Sequence, residues 1–389
     1  MERKNRAPDI WLFVITVALL SIGVVMVMDA SYARAGQAQF TGGDSYYYVK
    51  RQALFAAVGL LAMFVMQRVR FWRLKPFASG LLIISFVGLV AVLIPSIGHM
   101  ANGARRWIVV GPVSFQPAEF AKLALALYLA TLLTSRKYDI RDLWSGIAPA
   151  LLPLCVIAVL IMLEPDMGTA IVTCATALVL IYVAGARPRH LAAILTAGFV
   201  AGVALIIKEP YRWERVEAWF NPFAFYHGSG YQVCRSLIAI GSGGPIGLGF
   251  CDGREKVFYL PAEHTDFIFA VLGEEAGLLG TLIVAGLFML FAVRGFRIAR
   301  RTKDKFGKFL AVGITGLIAG QALLNMYVVT SLAPATGVPL PFISYGGSSL
   351  VLNLMCVGIL LGISQFPNGV DDEDSSYRRR NRRPRLSRG

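Results

Sequence analysis

The chain has 389 residues, of which 56% are apolar and 16% charged, and its mean hydropathy is +0.61. This balance excludes an ordinary soluble domain and indicates that a lipid bilayer is the solvent. The net charge of +15 does not call for a nucleic acid partner. Lys and Arg are concentrated in alternate short loops and in the C-terminal tail, as the positive-inside rule predicts for membrane proteins.

Ten mostly apolar runs follow one another along the chain. A helix needs about 20 such residues to cross the hydrocarbon core, and the runs are close to that length or longer. None alternates with the period of two that a membrane β-barrel requires, so we predict an all-α polytopic fold with about ten transmembrane helices. The runs are 10–28, 52–67, 77–97, 117–134, 146–163, 167–184, 191–207, 267–293, 309–332 and 343–366.

The distribution of Lys and Arg sets the orientation. Basic residues are dense in the N-terminal segment and after every second run, and the loops between carry far fewer. We therefore predict that both termini are cytoplasmic. The predicted parts are an N-terminal segment over 1–9, a single membrane domain over 10–366, and a disordered basic tail over 367–389 that lies on anionic head groups.

The outer connection over 208–266 is much longer than the others, and long ordered loops tend to be functional. Its aromatic segment RWERVEAWFNPFAFY, 212–226, suits either an interfacial anchor or direct substrate contact. The glycine-rich segment SLIAIGSGGPIGLG, 236–249, is either a tight turn or a backbone cradle for a lipid diphosphate. Cys234 and Cys251 also lie in this loop, where the compartment permits a disulfide without requiring one.

Ionisable residues next to lipid are candidates for function. In QPAEFAK, Glu119 and Lys122 are three residues apart on one helical face, and they form either a structural ion pair or a site for an anionic substrate. In EHTDF, we expect Thr265 to cap the eighth span and Asp266 to open it.

Further acids follow Asp266 inside the eighth span. Glu274 and Glu275 add to the density of titratable groups, although pairing with arginines on other helices is the favoured interpretation for at least one of them.

Three more segments are predicted at the outer face. Arg105 and Arg106 are cations that can bind phosphate in bidentate fashion. Glu164 and Asp166 lie on the tight turn of EPDMGTA, where topology does not require two acids. The proline-rich segment 334–341 forbids a regular helix before the Ser344 to Ser348 cluster, and irregular backbone at this depth is tolerated only inside protein or beside a cavity.

Six motifs stand in order along the chain: RRW, QPAEFAK, EPDMGTA, GYQVCRSLIAIGSGG, LPAEHTDFIFAVLGEE and PLPFISYGGSS. Together they resemble the SEDS (FtsW/RodA/SpoVE) proteins of bacterial shape, elongation, division and sporulation, over residues 10–365. The resemblance implies a peptidoglycan glycosyltransferase in the bacterial inner membrane that polymerises lipid II into glycan strands at the outer face. It also implies a class B penicillin-binding protein as partner, with other divisome or elongasome membrane proteins.

Two features bear on the branch of the family. The segment from Arg254 and the basic tail are similar to the cell-division members, which predicts work at the septum. The segment PATGVPLPF, 334–342, is similar to the elongation members instead and keeps an elongation-type polymerase as the alternative. A lipid II flippase and a scaffold for the transpeptidase are rival functions, the first resting on Glu119 and Lys122.

The resemblance places the catalytic carboxylate at Asp266, and the predicted topology independently puts this residue outside. We hypothesise that Asp266 is the general base for the acceptor hydroxyl in an inverting transfer. The sequence commits to no cofactor: arginine cations, or a divalent ion such as Mg²⁺ or Mn²⁺ held partly by substrate, would stabilise the leaving diphosphate. The predicted substrate-binding residues are Arg106, Glu119, Lys122, Glu164, Asp166, Gln232, Ser236, Ser344 and Gly346.

Overall fold

The computed structural model describes residues 7–37, 41–101, 103–111, 113–135, 138–257 and 259–369. Most of the predicted N-terminal segment, residues 1–6, and nearly all of the predicted basic tail, from residue 370 on, lie outside the described residues.

Twelve α-helices make up most of the described chain. They are α1 (Ile10–Gln37), α2 (Tyr47–Arg68), α3 (Ala78–Leu93), α4 (Pro117–Thr134), α5 (Ala148–Leu163), α6 (Met167–Val183), α7 (Pro188–Lys208), α8 (Pro210–Phe220), α9 (Tyr231–Gly243), α10 (Ile268–Arg301), α11 (Lys305–Val329) and α12 (Gly347–Gln365).

Each of the ten predicted runs overlaps one of these helices over most of its length. Nine helical segments among the described residues are long and apolar enough to cross a membrane, and the tenth, α6, has 17 residues. The predicted all-α polytopic fold is therefore confirmed. The two remaining helices, α8 and α9, lie in the outer connection, where no helix was predicted.

One helix extends beyond its predicted apolar run, and another begins later than its run. The helix α10 continues to Arg301, beyond the apolar run, because no proline interrupts it and Gly295 stays within the helix. By contrast, α12 begins at Gly347 and not at residue 343, because Pro339, Pro341 and the left-handed backbone of Phe342, with φ of 65°, prevent an earlier start.

A small antiparallel sheet between α3 and α4 was not predicted. Its strands are β1 (Gly98–Ala101), β2 (Ala104–Val110) and β3 (Val113–Phe115), in the order β1-β2-β3. Gly103 and Gly111, with φ of 77° and 60°, lie at the two hairpin turns, where a left-handed backbone favours glycine. The sheet places Arg106 on its middle strand, at the outer end of the bundle.

The helices α4, α11 and α12 form the centre of the bundle, since 72%, 67% and 72% of their apolar windows are buried, against none for α7. At one end of the bundle, the Arg294 guanidinium on α10 binds the Asp9 carboxylate before α1, at 2.6 Å. At the same end, the Lys303 amide donates to the Pro367 carbonyl after α12, at 2.7 Å. Both ends of the described chain thus lie on one face, as an even number of spans requires.

The glycine-rich segment packs the outer loop onto α10. A Cβ on Gly243 would clash with the Gly273 carbonyl oxygen, and one on Gly247 would clash with that of Glu275. Gly277, with φ of 64°, breaks the regular geometry of α10 at the contact. These glycines are needed for close backbone approach, which favours the tight-turn interpretation over a diphosphate cradle.

Candidate active site at the outer end of the bundle

Asp266 lies in the turn that leads into α10. The helix begins at Ile268, with Phe267 as its N-terminal flanking residue and no side-chain cap. The Thr265 hydroxyl instead donates to the Ala262 carbonyl at 3.2 Å. The prediction that Thr265 caps this helix was wrong, because the turn at Ala262, with φ of 56°, directs the hydroxyl backwards along the chain.

The segment before α12 fixes the backbone next to Asp266. The Tyr345 amide donates to the His264 carbonyl at 2.9 Å, and the Ser344 hydroxyl donates to the Thr265 carbonyl at 2.6 Å. Ser344, a predicted substrate-binding residue, also accepts a bond from the Leu340 amide, so its hydroxyl already has both a donor and an acceptor partner. Its role in this structure is to hold the turn that carries Asp266.

Asn325 on α11 joins the turn to the proline-rich segment. Its side-chain Nδ2 donates to the Asp266 carbonyl and to the Val338 carbonyl, each at 2.8 Å. One turn earlier on the same helix, Gln321 donates to the Pro339 carbonyl at 2.9 Å. Two amide side chains thus satisfy the carbonyls of a segment whose prolines rule out helical hydrogen bonding. Neither Asn325 nor Gln321 was predicted from the sequence. The signal that could have identified them is an amide side chain inside an otherwise apolar span.

The Asp266 carboxylate faces a guanidinium across a glycine. A Cβ on Gly337 would lie 3.5 Å from Asp266 Oδ2 and 3.9 Å from Arg106 Nη1, so only a residue without a side chain leaves this space open. Asp266 keeps part of its surface exposed. Burial and the nearby charge of Asp166 raise the pKa of Asp266 to about 6, against the opposing effect of Arg106, His264 and Arg215.

Arg106 is held by the turn between α5 and α6. Its Nε donates to the Glu164 carbonyl at 3.0 Å, and its Nη2 donates to the Pro165 carbonyl. Arg106 therefore contacts this acidic turn through backbone carbonyls, and the remaining donor, Nη1, lies beside the space at Gly337. A guanidinium with a donor free for an anion suits phosphate recognition.

Glu164 and Asp166 have different roles. The Asp166 carboxylate caps α6, accepting from the Thr169 amide at 3.1 Å and from the Thr169 hydroxyl at 2.9 Å. Glu164 is fully buried, and within the described part of the chain neither carboxylate oxygen accepts a hydrogen bond. Burial and the charge of Asp166 raise the pKa of Glu164 to about 8, although Arg106 opposes this. Glu164 is therefore mostly protonated at neutral pH.

A cavity of about 120 Å³ opens next to these residues, between α6, α7 and α8. Most of its lining is apolar, but Arg212 and Arg215 on α8 also line it. It shares Pro165 with the Arg106 site, and Thr336 in its wall directly precedes Gly337. The cavity therefore extends from a lipid-facing helix, α7, to the backbone that borders the Arg106 site.

Glu119 and Lys122 are buried in the centre of the bundle. They form an ion pair at 2.7 Å; Lys122 also donates to Gln321 Oε1 at 2.5 Å, and Ser349 donates to Glu119 at 2.9 Å. Both charges are compensated within the helix packing. This arrangement favours the structural ion pair over a site for an anionic substrate.

Three other predicted substrate-binding residues lie on α9 or directly before α12. The Ser236 hydroxyl is buried and donates to the Val329 carbonyl at 2.6 Å, which anchors α9 to α11. Gln232 is half-buried one turn earlier on α9. Gly346 directly precedes α12, and its carbonyl accepts from the Leu350 amide at 2.9 Å.

The two acids inside α10 bind the outer loop. Glu274 accepts from the amides of Arg254 and Glu255, at 2.7 and 3.2 Å. Glu275 pairs with Lys256, which also binds Asp29 of α1 at 2.5 Å. The prediction of arginine partners on other helices was wrong: the cation is a lysine, and it comes from the loop.

The cysteines of the outer loop are not paired. Cys234 is buried on α9 and Cys251 is exposed, and both are free thiols.

The outer loop also contacts the chain between α11 and the proline-rich segment. Trp219 donates to the Ser331 carbonyl at 2.9 Å, while Phe220 remains exposed. The aromatic segment thus anchors α8 by one face and presents apolar rings outward by the other.

The model of the FtsW/RodA/SpoVE family, described as cell cycle protein, matches residues 10–369. The chain belongs to this family. Stage V sporulation protein E of Bacillus subtilis is 44% identical over 366 residues, which cover 94% of this chain and 99% of that protein. The probable peptidoglycan glycosyltransferase FtsW of Trichlorobacter lovleyi is 42% identical over 359 residues, which cover 92% of this chain and 93% of that protein.

Solved structures of FtsW/RodA/SpoVE proteins share the fold. A chain from a structure described as "Structural coordination of polymerization and crosslinking by a peptidoglycan synthase complex" has a TM-score of 0.76 and 31% identity, covering 93% of this chain and 99% of that one. The rod shape determining protein RodA of Thermus thermophilus has a TM-score of 0.69 and 30% identity, with coverage of 93% and 98%. Family and spans together make the chain a multi-pass membrane protein.

Proposed function

We propose that this chain polymerises lipid II into glycan strands at the outer face of the membrane, with Asp266 as general base. Peptidoglycan glycosyltransferase is the activity that its relatives' names and the synthase-complex structure support. The observation that carries the assignment of Asp266 is its geometry. A partly exposed carboxylate faces a guanidinium across Gly337, and the preceding residue, Thr336, lines a cavity that reaches a lipid-facing helix.

The acidities of the two carboxyl groups fit different roles. A pKa of about 6 leaves Asp266 mostly ionised at neutral pH, yet more basic than an exposed aspartate. The pKa of about 8 keeps Glu164 mostly neutral, so this buried residue adds little negative charge beside the base. One carboxylate is thus available to accept a proton, while the charge around it stays favourable for an anionic substrate.

In the proposed step, Asp266 takes the proton of the acceptor sugar hydroxyl, and the hydroxyl oxygen attacks the anomeric carbon of the donor. The bond from that carbon to the diphosphate oxygen breaks, and inversion results. Arg106, and Arg212 and Arg215 in the cavity wall, supply positive charge for the leaving diphosphate, while the apolar lining accepts the start of its lipid chain.

A divalent cation could supply the same charge stabilisation. Within the described residues, no group of three or more His, Cys, Asp and Glu side chains is spaced to hold a metal ion. These residues therefore do not fit a protein-built metal cage, and no step above depends on one.

The flippase alternative receives less support. It rested on a buried Glu119 and Lys122 together with a polar cavity, and in the structure these two residues are bound to each other, to Gln321 and to Ser349. Transport would require breaking this buried network, which costs several kcal/mol.

Purified protein with its transpeptidase partner, given labelled lipid II in detergent, tests the proposal. We expect Asp266→Asn to lower polymerisation on the order of 100- to 10,000-fold. Asp252→Asn, at an exposed carboxylate in the same loop, is the matched control and should retain activity. Because detergent abolishes transport across a bilayer, polymer formed by Asp266→Asn at the control rate would contradict the assignment.

We further propose that the partner is a class B penicillin-binding protein and that the pair works at the division septum. The synthase-complex structure couples polymerisation to crosslinking, and relatives named FtsW support the division branch. A functional fluorescent fusion should concentrate at the septum, and the transpeptidase should copurify with it. Uniform labelling of the cylinder wall would favour the elongation-type alternative, and labelling confined to sporulating cells would favour a sporulation role.

A further inference from the structure

A second cavity lies at the opposite end of the bundle from Asp266, where α1 begins and α10 ends. Its volume is about 240 Å³, and it is lined by the chain before α1, the last turns of α10 and the end of α12. The charged side chains in its wall are Asp9, Arg294, Arg297 and Arg301. None of them belongs to the proposed polymerisation site.

The charges in this cavity are unbalanced. Arg294, Arg297 and Arg301 are spaced by three and four residues, so they lie along one face of α10. The Asp9 carboxylate binds Arg294 in bidentate fashion, with distances of 3.1 and 2.6 Å, and so neutralises one cation. Within the part of the chain that the structure describes, Arg297 and Arg301 form no ion pair, and both are exposed.

The cavity lies at the depth of the lipid head groups. Ile10, in its wall, and Trp11 beside it are each 60% exposed, and exposed Trp is enriched at the boundary between hydrocarbon and water. Val293 and Phe296, on the turns of α10 just before the arginines, are also exposed, so the apolar surface continues from there into the membrane. A ligand of this cavity can therefore have both a phosphate group and an apolar part.

We propose that this cavity binds a phosphate group, presented by an anionic phospholipid of the cytoplasmic leaflet such as phosphatidylglycerol. Basic pockets between transmembrane helices on this side commonly take anionic head groups. The phosphate contacts Arg297 and Arg301, and the acyl chains lie along Val293 and Phe296. The distribution of Lys and Arg along the chain places this end of the bundle on the cytoplasmic side.

Native mass spectrometry of the purified full chain, titrated with phosphatidylglycerol, tests this site. We expect the double variant Arg297→Gln/Arg301→Gln to bind the lipid roughly 10- to 30-fold more weakly, since each basic residue near the surface contributes up to about fivefold. The matched control, Arg187→Gln/Arg189→Gln, removes two exposed arginines at the start of α7 and should bind within about twofold of the unchanged protein. Equal binding by both double variants would overturn the proposal.

A competition with inorganic phosphate distinguishes the two sources of the group. If the site holds a lipid, millimolar phosphate should not displace phosphatidylglycerol. Displacement by phosphate, with phosphate binding lost in Arg297→Gln/Arg301→Gln, would overturn the lipid as the ligand.

Asp9→Asn provides a test in the opposite direction. The substitution releases Arg294 from its carboxylate, and we therefore expect tighter binding of phosphatidylglycerol, by several-fold. Arginines that merely stabilise the helix end would give no such gain, so unchanged or weaker binding in a folded Asp9→Asn protein would count against the site. Polymerisation of lipid II in detergent, which depends on the other end of the bundle, reports folding of each variant independently of this result.

Discussion

Replacing Arg106 by Gln should shift the pH dependence of polymerisation. The Asp266 and Arg106 atoms lie within 3.5 and 3.9 Å of one point beside Gly337, so they are less than about 8 Å apart. Two charges about 8 Å apart interact by about 1 to 2 kcal/mol at an effective dielectric constant of roughly 20 to 40, which corresponds to about one pKa unit. The guanidinium lowers the pKa of Asp266. Its removal must therefore raise that pKa further, from about 6 to about 7.

The protonation state of Asp266 determines how the polymerisation rate depends on pH. A general base acts when deprotonated, so polymerisation by the unchanged protein should rise with pH through about 6 and then level off. In Arg106→Gln the rise should be centred near pH 7. At pH 6 the deprotonated fraction of Asp266 falls about fivefold, whereas at pH 8 it changes by only about a tenth. The ratio of rates at the two pH values isolates this effect from any loss of diphosphate binding.

The assay is initial-rate polymerisation of labelled lipid II in detergent, from pH 5 to 9, at saturating and limiting substrate. Arg106→Lys is the matched control, because lysine keeps the positive charge but lacks the bidentate geometry of the guanidinium. We expect Arg106→Lys to lose activity at every pH while its profile stays centred near pH 6. An Arg106→Gln profile that stays near pH 6, or moves to lower pH, would refute the electrostatic reasoning.

Three further predictions concern the groups that support the site. Asn325→Ala should lower the turnover number by about 10- to 100-fold without moving the pH profile, because the amide positions the Asp266 backbone but does not titrate; an unchanged turnover number would contradict this. Lys256→Met should lower the free energy of unfolding by about 3 to 5 kcal/mol, measured by chemical or thermal denaturation in detergent, because it leaves two buried carboxylates without their cation. Lys122→Met should lower the free energy of unfolding by a similar amount, because it leaves Glu119 buried without its cation. The double variant Glu119→Gln/Lys122→Met should recover most of this loss, because neither charge remains. A double variant less stable than Lys122→Met would indicate that the pair is more than a structural ion pair.

The sequence was sufficient for the spans because the constraint that creates them is local. A helix in hydrocarbon satisfies its own backbone groups, so an apolar run of adequate length already determines the element. Helix ends depend on more than hydropathy. The end of α10 at Arg301 lies beyond its apolar run because no proline interrupts the helix there, and the start of α12 at Gly347 was set by the prolines and the left-handed Phe342 before it.

Long-range partners could not be read from local patterns. The pairing of Glu275 with Lys256 joins α10 to the outer loop, and the same lysine reaches Asp29 on α1. Nothing in the spacing of these residues distinguishes a loop lysine from an arginine on another helix. The small sheet with Arg106 on its middle strand was missed for a related reason, because short strands paired by hairpins carry little periodic signal.

The position of Asp266 illustrates how the site depends on segments distant in sequence. Its own helix provides no cap for the turn, since the Thr265 hydroxyl turns back to Ala262. The turn is instead held from outside: Ser344 binds the carbonyl before Asp266, and Asn325 binds the carbonyl of Asp266 itself. Because the same Asn325 amide also binds the proline-rich segment, displacement of that segment must disturb the base. The irregular backbone before α12 therefore belongs to the proposed active site even though it contributes no titratable group.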